Sequence, residues 1–278
     1  MSGGRYTVGV TGVTGKTGQL VAERALDRTW KVRSLTRRDP GIGVWHRLDW
    51  DDDRTWEAAF SGCDAAYVLI PFNHPGAAER TPNVVRAAAS AGVPRIVLLS
   101  SLDAEGAPAD DPLARAEETL VGLGVCWAIL RPTWFLENFS VGSFGAMVDD
   151  GHLRLPAGDG RIPFISIRDI ADVAVAAMAT DGPRGRLPLT GPEALTHSEL
   201  CKVLAEELGR PVRFSDAEDE EFIEVMAARG FSRDYSEFLI EALDQVRSGR
   251  LLIPVTDTVE RVTGRQATSA REFAAGLP

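Results

Sequence analysis

The stretch that decides the fold is Tyr6-Thr7-Val8-Gly9-Val10-Thr11-Gly12-Val13-Thr14-Gly15-Lys16-Thr17-Gly18-Gln19-Leu20-Val21-Ala22. Its first part is β-branched and apolar, the pattern of a buried strand. Its last part, continued to Leu26, spaces Leu20, Val21, Ala22 and Leu26 for one face of a helix. Between them Gly12, Gly15 and Gly18 form a G-x-x-G-x-x-G turn. Strand, glycine turn and helix in this order form a phosphate cradle. One glycine allows the sharp turn, another lets backbone N–H groups approach a pyrophosphate, and the last lets helix and strand pack closely. The helix N-terminus then offers unpaired N–H groups and a favourable dipole to the anion. A nucleotide triphosphate loop, G-x-x-x-x-G-K-T, would need glycine where Val10 stands.

Working outward, strand and helix patterns alternate. Lys31–Thr36 and Val44–Asp49 read as strands, Thr55–Phe60 as a short helix and Asp64–Ile70 as an apolar strand stopped by Pro71. Ala77–Ala91 reads as a helix closed by Gly92, Arg95–Ser101 as a strand buried on both faces, Ala114–Leu123 as a helix and Val125–Leu130 as a sixth strand. The series predicts an α/β fold with a doubly wound parallel sheet of the Rossmann type. Residues 1–138 make the nucleotide-binding domain, completed by about 163–181, where Pro163–Ile167 and Asp169–Ala179 read as one more strand and helix. Residues 139–162 and 182–278 make a smaller α/β carboxyl-terminal lobe, expected to bind the substrate. In that lobe Leu187–Thr190 and Val212–Phe214 read as strands. The run Asp216–Glu221 reads as a solvated helix start.

Composition narrows the function. The net charge of −10 argues against nucleic acid or an anionic membrane as partner. No apolar run approaches ~18 residues and no basic-then-apolar leader opens the chain, so a cytoplasmic protein is expected. Cys63, Cys126 and Cys201 are odd in number and unevenly spaced, which fits core thiols and no metal site.

The end of the second strand bears on the cofactor. Units that bind NAD place Asp or Glu there, about 20 residues after the last glycine. This chain has Thr36-Arg37-Arg38-Asp39. Arginine suits the 2′-phosphate of NADP, so NADP(H) is favoured, while Asp39 keeps NAD(H) open.

With these residues in place, the chain resembles the NmrA-like branch of the atypical short-chain dehydrogenase/reductases almost end to end. The glycine turn matches that family's TGATGxxG, and Arg37 its arginine after the second strand. Leu48-Asp49-Trp50 stands at its adenine-flanking segment, and Leu69-Ile70-Pro71 and Leu99-Ser100-Ser101 at its fourth and fifth strand ends. Ala128–Asn138, containing Leu130-Arg131-Pro132-Thr133-Trp134-Phe135, is close to its LRPxxFxEN segment. Arg168-Asp169-Ile170-Ala171 resembles its xRDIA helix start and Leu189–Glu193 a further turn. The resemblance implies that Gly12, Thr14, Gly15, Lys16, Thr17, Gly18, Arg37, Arg38, Asp49, Trp50, Ile70, Pro71, Ser100, Ser101, Pro132 and Thr133 contact the cofactor. Trp134 and Phe135 would offer an aromatic wall to a flat substrate.

Typical short-chain dehydrogenases protonate an alkoxide with a Tyr-x-x-x-Lys pair. Residues four after Tyr6, Tyr67 and Tyr235 are Val10, Pro71 and Leu239, and the expected dyad positions carry Ala109 and Leu113. The expected function is therefore an NADPH-dependent reductase that delivers hydride to a quinone, an iminium ion or a conjugated carbonyl, where the arriving charge is delocalised or cancelled. His74, in Pro71-Phe72-Asn73-His74-Pro75-Gly76, is the candidate proton donor or substrate contact. The alternative is a non-catalytic NADP(H)-binding redox sensor of the NmrA type, whose lobe docks a protein.

Overall fold

In the computed structural model, residues 6–71, 74, 76–248 and 253–277 are described. Phe72, Asn73 and Pro75, from the segment around His74, lie outside them. The chain divides into two compact units. The first comprises 1–132, 167–189 and 258–265; the second comprises 133–166, 190–257 and 266–278.

The first unit follows the alternation read from sequence: β1 (Thr7–Thr11), α1 (Lys16–Asp27), β2 (Lys31–Thr36), β3 (Val44–Arg47), α2 (Trp56–Phe60), β4 (Ala65–Leu69), α3 (Ala77–Ser90), β5 (Arg95–Leu99), α4 (Pro112–Gly122) and β6 (Cys126–Pro132). The second unit takes over with α5 (Gly142–Asp149) and β7 (His152–Leu155). The chain then returns to the first unit with α6 (Ile167–Met178) and β8 (Gly185–Leu189). The strands form one seven-stranded sheet in the order β3-β2-β1-β4-β5-β6-β8, and every pairing in it is parallel. This is the doubly wound, Rossmann-like arrangement expected from the alternation. Ile96, Val97 and Leu98 at the centre of β5 are fully buried, as a strand covered by helices on both faces must be.

Local chemistry explains the element ends. Asp111 caps α4 by accepting from the Ala114 N–H at 2.9 Å, and Pro112 begins the helix at the position where a missing N–H costs nothing. Asp169 of α6 is fully buried and meets Arg265 at 2.7 Å, and Asp172 meets Arg24 of α1 at 3.1 Å. Arg265 follows α10 (Thr258–Thr263), so these ion pairs tie three helices together. The Asp of the xRDIA motif is therefore a structural residue here.

Two expectations are corrected. The seventh strand of the sheet is β8, so Leu187–Leu189 belongs to the first unit and not to the lobe, and Pro163–Ile167 is not a strand. Within that run only Ile165 pairs, in an isolated bridge to Phe135, and Ile167 already begins α6. An apolar run of that length is equally consistent with a buried turn, and periodicity cannot separate the two.

The second unit continues with α7 (His197–Leu208), β9 (Arg213–Asp216), α8 (Asp219–Ala227), α9 (Arg233–Arg247) and α11 (Ala270–Ala275), and its β7 and β9 pair in parallel. Asp219, Glu220 and Glu221 fill the first turn of α8, so the acidic run does open a helix. Capping boxes, Thr196 with Glu199 and Ser269 with Glu272, start α7 and α11. Its core gathers Leu136, Phe139, Phe164, Leu200, Phe222 and Leu243. Among the described residues no helix is long and apolar enough to cross a membrane, and no cluster of side chains could hold a metal ion.

Candidate dinucleotide-binding site

The glycine turn leaves β1 at Gly12, where φ is +64° and only glycine avoids strain; a Cβ there would come within 2.5 Å of Leu69. The Gly15 N–H closes the turn on the Gly12 carbonyl at 2.8 Å. Gly15 then serves as N-cap of α1 with no side chain to cap it, so no side chain competes for the N–H groups of the first turn. Thr14, Gly15 and Lys16 are exposed around this N-terminus. Gly18 has the packing role: a Cβ would lie 2.2 Å from the Gly12 carbonyl oxygen. Thr17 is buried and faces the Tyr67 hydroxyl of β4, which is fully buried, lacks a well-formed hydrogen bond and is held protonated by burial. Thr11 ties β1 to β4, its hydroxyl accepting from the Leu69 N–H at 3.0 Å and donating to the Tyr67 carbonyl at 3.3 Å.

At the end of β2, Arg37 and Arg38 are exposed and neither side chain makes an ion pair or hydrogen bond among the described residues. Asp39 is committed, accepting from the Gly41 N–H at 2.9 Å. Two unpaired guanidiniums beside an occupied carboxylate leave donors that could hold an extra phosphate. Asp49 follows β3, its N–H donating to Thr55 Oγ1 at 3.0 Å and its carbonyl accepting from Trp56 Nε1 at 2.7 Å. Trp50 is buried in the core with Leu48 and Trp56, so its indole supports this end. His74, after β4, has Nε2 3.1 Å from Asp51 Oδ2, and Arg80 of α3 holds Asp51 Oδ1 at 3.0 Å. The loops after β3 and β4 are thereby clasped together. In a sheet of this order the adenosine half of a dinucleotide lies over β1 to β3 and the other half over β4 to β6.

On the other half, Ile70 is buried and Pro71 half-buried. Ser100 is buried and its hydroxyl donates to Glu117 Oε1 at 2.6 Å, while Ser101 caps the short turn that follows, accepting from the Asp103 N–H at 3.3 Å. Glu117, 2 % exposed, also receives Arg131 Nε at 3.0 Å and a second Arg131 nitrogen at 2.6 Å, and Arg186 Nε at 3.3 Å. An isolated Glu on a helix carries no sign in the sequence that it is buried. The expected dyad positions hold an exposed Ala109 before α4 and a half-buried Leu113 in its first turn.

The chain crosses to the second unit directly after Pro132. There the Thr133 hydroxyl donates to the Pro163 carbonyl at 2.7 Å. Trp134 is half-buried and stacks on Phe144 with centroids 6.4 Å apart, and Phe135 is half-buried beside Ile165.

The cradle, the bare helix start and the unpaired arginines fit a dinucleotide, and comparison with known proteins agrees. Residues 12–181 match the family described as NAD(P)H-binding. The chain belongs to that family. It is 31% identical to the (4-alkanoyl-5-oxo-2,5-dihydrofuran-3-yl)methyl phosphate reductase of Streptomyces griseus, over 96% of each chain. Among solved structures, the NADPH-dependent quinone oxidoreductase QOR2 of Escherichia coli, complexed with NADPH, superposes with a TM-score of 0.83 over 96% of this chain and 98% of that one, at 23% identity. NmrA, a negative transcriptional regulator solved with NADP, superposes with a TM-score of 0.76 over 98% and 95%, at 15% identity. Both share this fold, in line with the NmrA-like resemblance read from the motifs.

Proposed function

We propose that this member of the NAD(P)H-binding family is an NADPH-dependent reductase whose acceptors need no dedicated proton donor: quinones, iminium ions or conjugated carbonyls. The observation that carries the reading is the pair Ala109 and Leu113 at the positions of a Tyr–Lys dyad, in a chain that otherwise builds a dinucleotide cradle. A reduced nicotinamide supplies a hydride when bound. The residues of this chain bind and orient it: the Gly12–Gly18 turn holds the pyrophosphate, Arg37 and Arg38 the 2′-phosphate, Asp49 the adenosine surroundings, and Ile70–Pro71, Ser101 and Pro132 the opposite half. Trp134 and Phe135 are the proposed contacts to a flat acceptor. Delocalised acceptors spread the incoming charge, so orientation and exclusion of water suffice. The Streptomyces relative supports this class, because its name describes a ring double bond conjugated to carbonyl groups.

The test is NADPH oxidation across a panel of quinones, iminium ions and enones, against a no-protein control. Turnover with one class is expected. Tight NADPH binding with no turnover on any of them would replace this reading with a redox sensor. For the cofactor preference, Arg37→Glu is expected to weaken NADPH binding by roughly tenfold to a hundredfold and to leave NADH binding nearly unchanged. That is the scale of removing one charge-assisted hydrogen bond and adding a like-charge repulsion. Equal weakening for both cofactors in a titration would show that Arg37 does not read the 2′-phosphate.

A further inference from the structure

We propose that Trp45 is the positioning residue that sets the preference for a 2′-phosphorylated cofactor, by bracing the turn that presents Arg37 and Arg38; the inference rests on those arginines reading the 2′-phosphate. Parallel neighbours in a sheet ordinarily need a long crossover, usually a helix. Here β2 ends at Thr36 and β3 begins at Val44, with Ser34 opposite Trp45, so the link carrying both arginines is too short for a helix. Its shape is set by side-chain tethers and glycines.

The tethers leave the arginines free. The Thr36 hydroxyl donates to the Arg38 carbonyl and the Ser34 hydroxyl to the Ile42 carbonyl. The Gly41 N–H donates to Asp39, and Gly41 and Gly43 take φ values of +72° and +65°. A Cβ on Gly43 would approach the Val32 carbonyl oxygen to 2.6 Å, so the link runs against β2 with no slack. The remaining side-chain tether is Trp45 Nε1, which donates to the Thr36 carbonyl at 3.1 Å, immediately before Arg37; the Leu48 N–H, where the chain leaves β3, shares that oxygen at 3.1 Å. Trp45 is 42% exposed on the edge strand of the sheet. It is not among the buried core residues, and the feature that distinguishes it is this hydrogen bond. It fixes the peptide from which the two guanidiniums diverge, so they meet a phosphate without having to be ordered first. None of the four tethers touches the sheet positions that bear on the pyrophosphate, so the brace acts on one phosphate only.

The experiment compares adenosine 2′,5′-bisphosphate with 5′-AMP, ligands that differ only in the 2′-phosphate, by calorimetric titration of the full chain. The variants are Trp45→Phe and Trp45→Tyr, which keep an aromatic ring and lose the indole N–H, with Arg37→Glu as control and melting temperatures recorded. Wild type is expected to bind the bisphosphate more tightly than AMP. Both Trp45 variants should lose about fivefold on the bisphosphate, the size of one net hydrogen bond, with AMP binding within about twofold of wild type and melting unchanged. A merely structural role would lower melting and weaken both ligands alike, and that result overturns the inference. Unchanged bisphosphate binding in the Trp45 variants overturns it as well, while weakening in Arg37→Glu would leave the arginine reading standing. A wild type that does not distinguish the two ligands overturns the arginine reading and this inference with it.

Discussion

Glu117→Ala is expected to destabilise the first unit by about 3–5 kcal/mol, the range found when one partner of a buried ion pair is removed. Glu117 is 2 % exposed and Arg131 is 9 % exposed, so the truncation leaves a guanidinium and the Ser100 hydroxyl in the interior without their acceptor. Glu105 reaches Arg131 at 3.3 Å but is itself largely exposed and compensates little. Arg186 is affected less, because it keeps Glu118 at 2.6 Å near solvent. Glu117→Gln should cost clearly less, since the amide still accepts from Ser100 or Arg131. Replacing Glu117 and Arg131 together by leucine should also cost less than Glu117→Ala alone, as no buried charge is left unpaired. Urea unfolding of the three variants checks this. A Glu117→Ala loss below about 1 kcal/mol would mean that water or Glu105 already satisfies Arg131.

This cluster shows where the sequence was readable and where it was not. Gly12, Gly15 and Gly18, β2 at Lys31–Thr36 and the buried centre of β5 were legible because each leaves a one-dimensional signature: a spacing, a period or an apolar run. Glu117, Arg131, Ser100 and Arg186 come from a helix, a strand, a strand end and a second strand, brought together only by the sheet order. The same holds for His74 and Asp51. Sequence suggested His74 as an isolated turn histidine free for chemistry, and only the fold shows the carboxylate at its ring. The misassigned Pro163–Ile167 fails for another reason. Its N–H and C=O groups are spent on residues next to it in space, the Ile165 N–H on the Trp134 carbonyl and the Ile165 carbonyl on the Leu136 N–H, before any ladder can form.

His197 was not visible as a special residue at all, and it carries the second large effect. At the first position of α7 it is fully buried, with neither ring nitrogen hydrogen-bonded among the described residues. Phe139 and Phe164 present edges to it with centroids at 5.9 and 5.3 Å, and Phe214 stacks at 5.8 Å. Burial pushes the imidazole down from 6.5 to about 4, and the Asp216 carboxylate opposes this only weakly. The folded lobe therefore refuses a proton that the unfolded chain accepts near pH 6.5. Stability from this group is complete above that pH and is lost as the pH falls toward 4, by roughly 3 kcal/mol in total. The variant His197→Leu, which fills the aromatic box without a titrating group, should remain folded at pH 7.5. Its stability relative to wild type should rise by about that amount between pH 7.5 and 4.5, because every other titration is common to both chains. Parallel stability-against-pH curves for the two proteins would show that the imidazole is already solvated or partnered in the folded lobe.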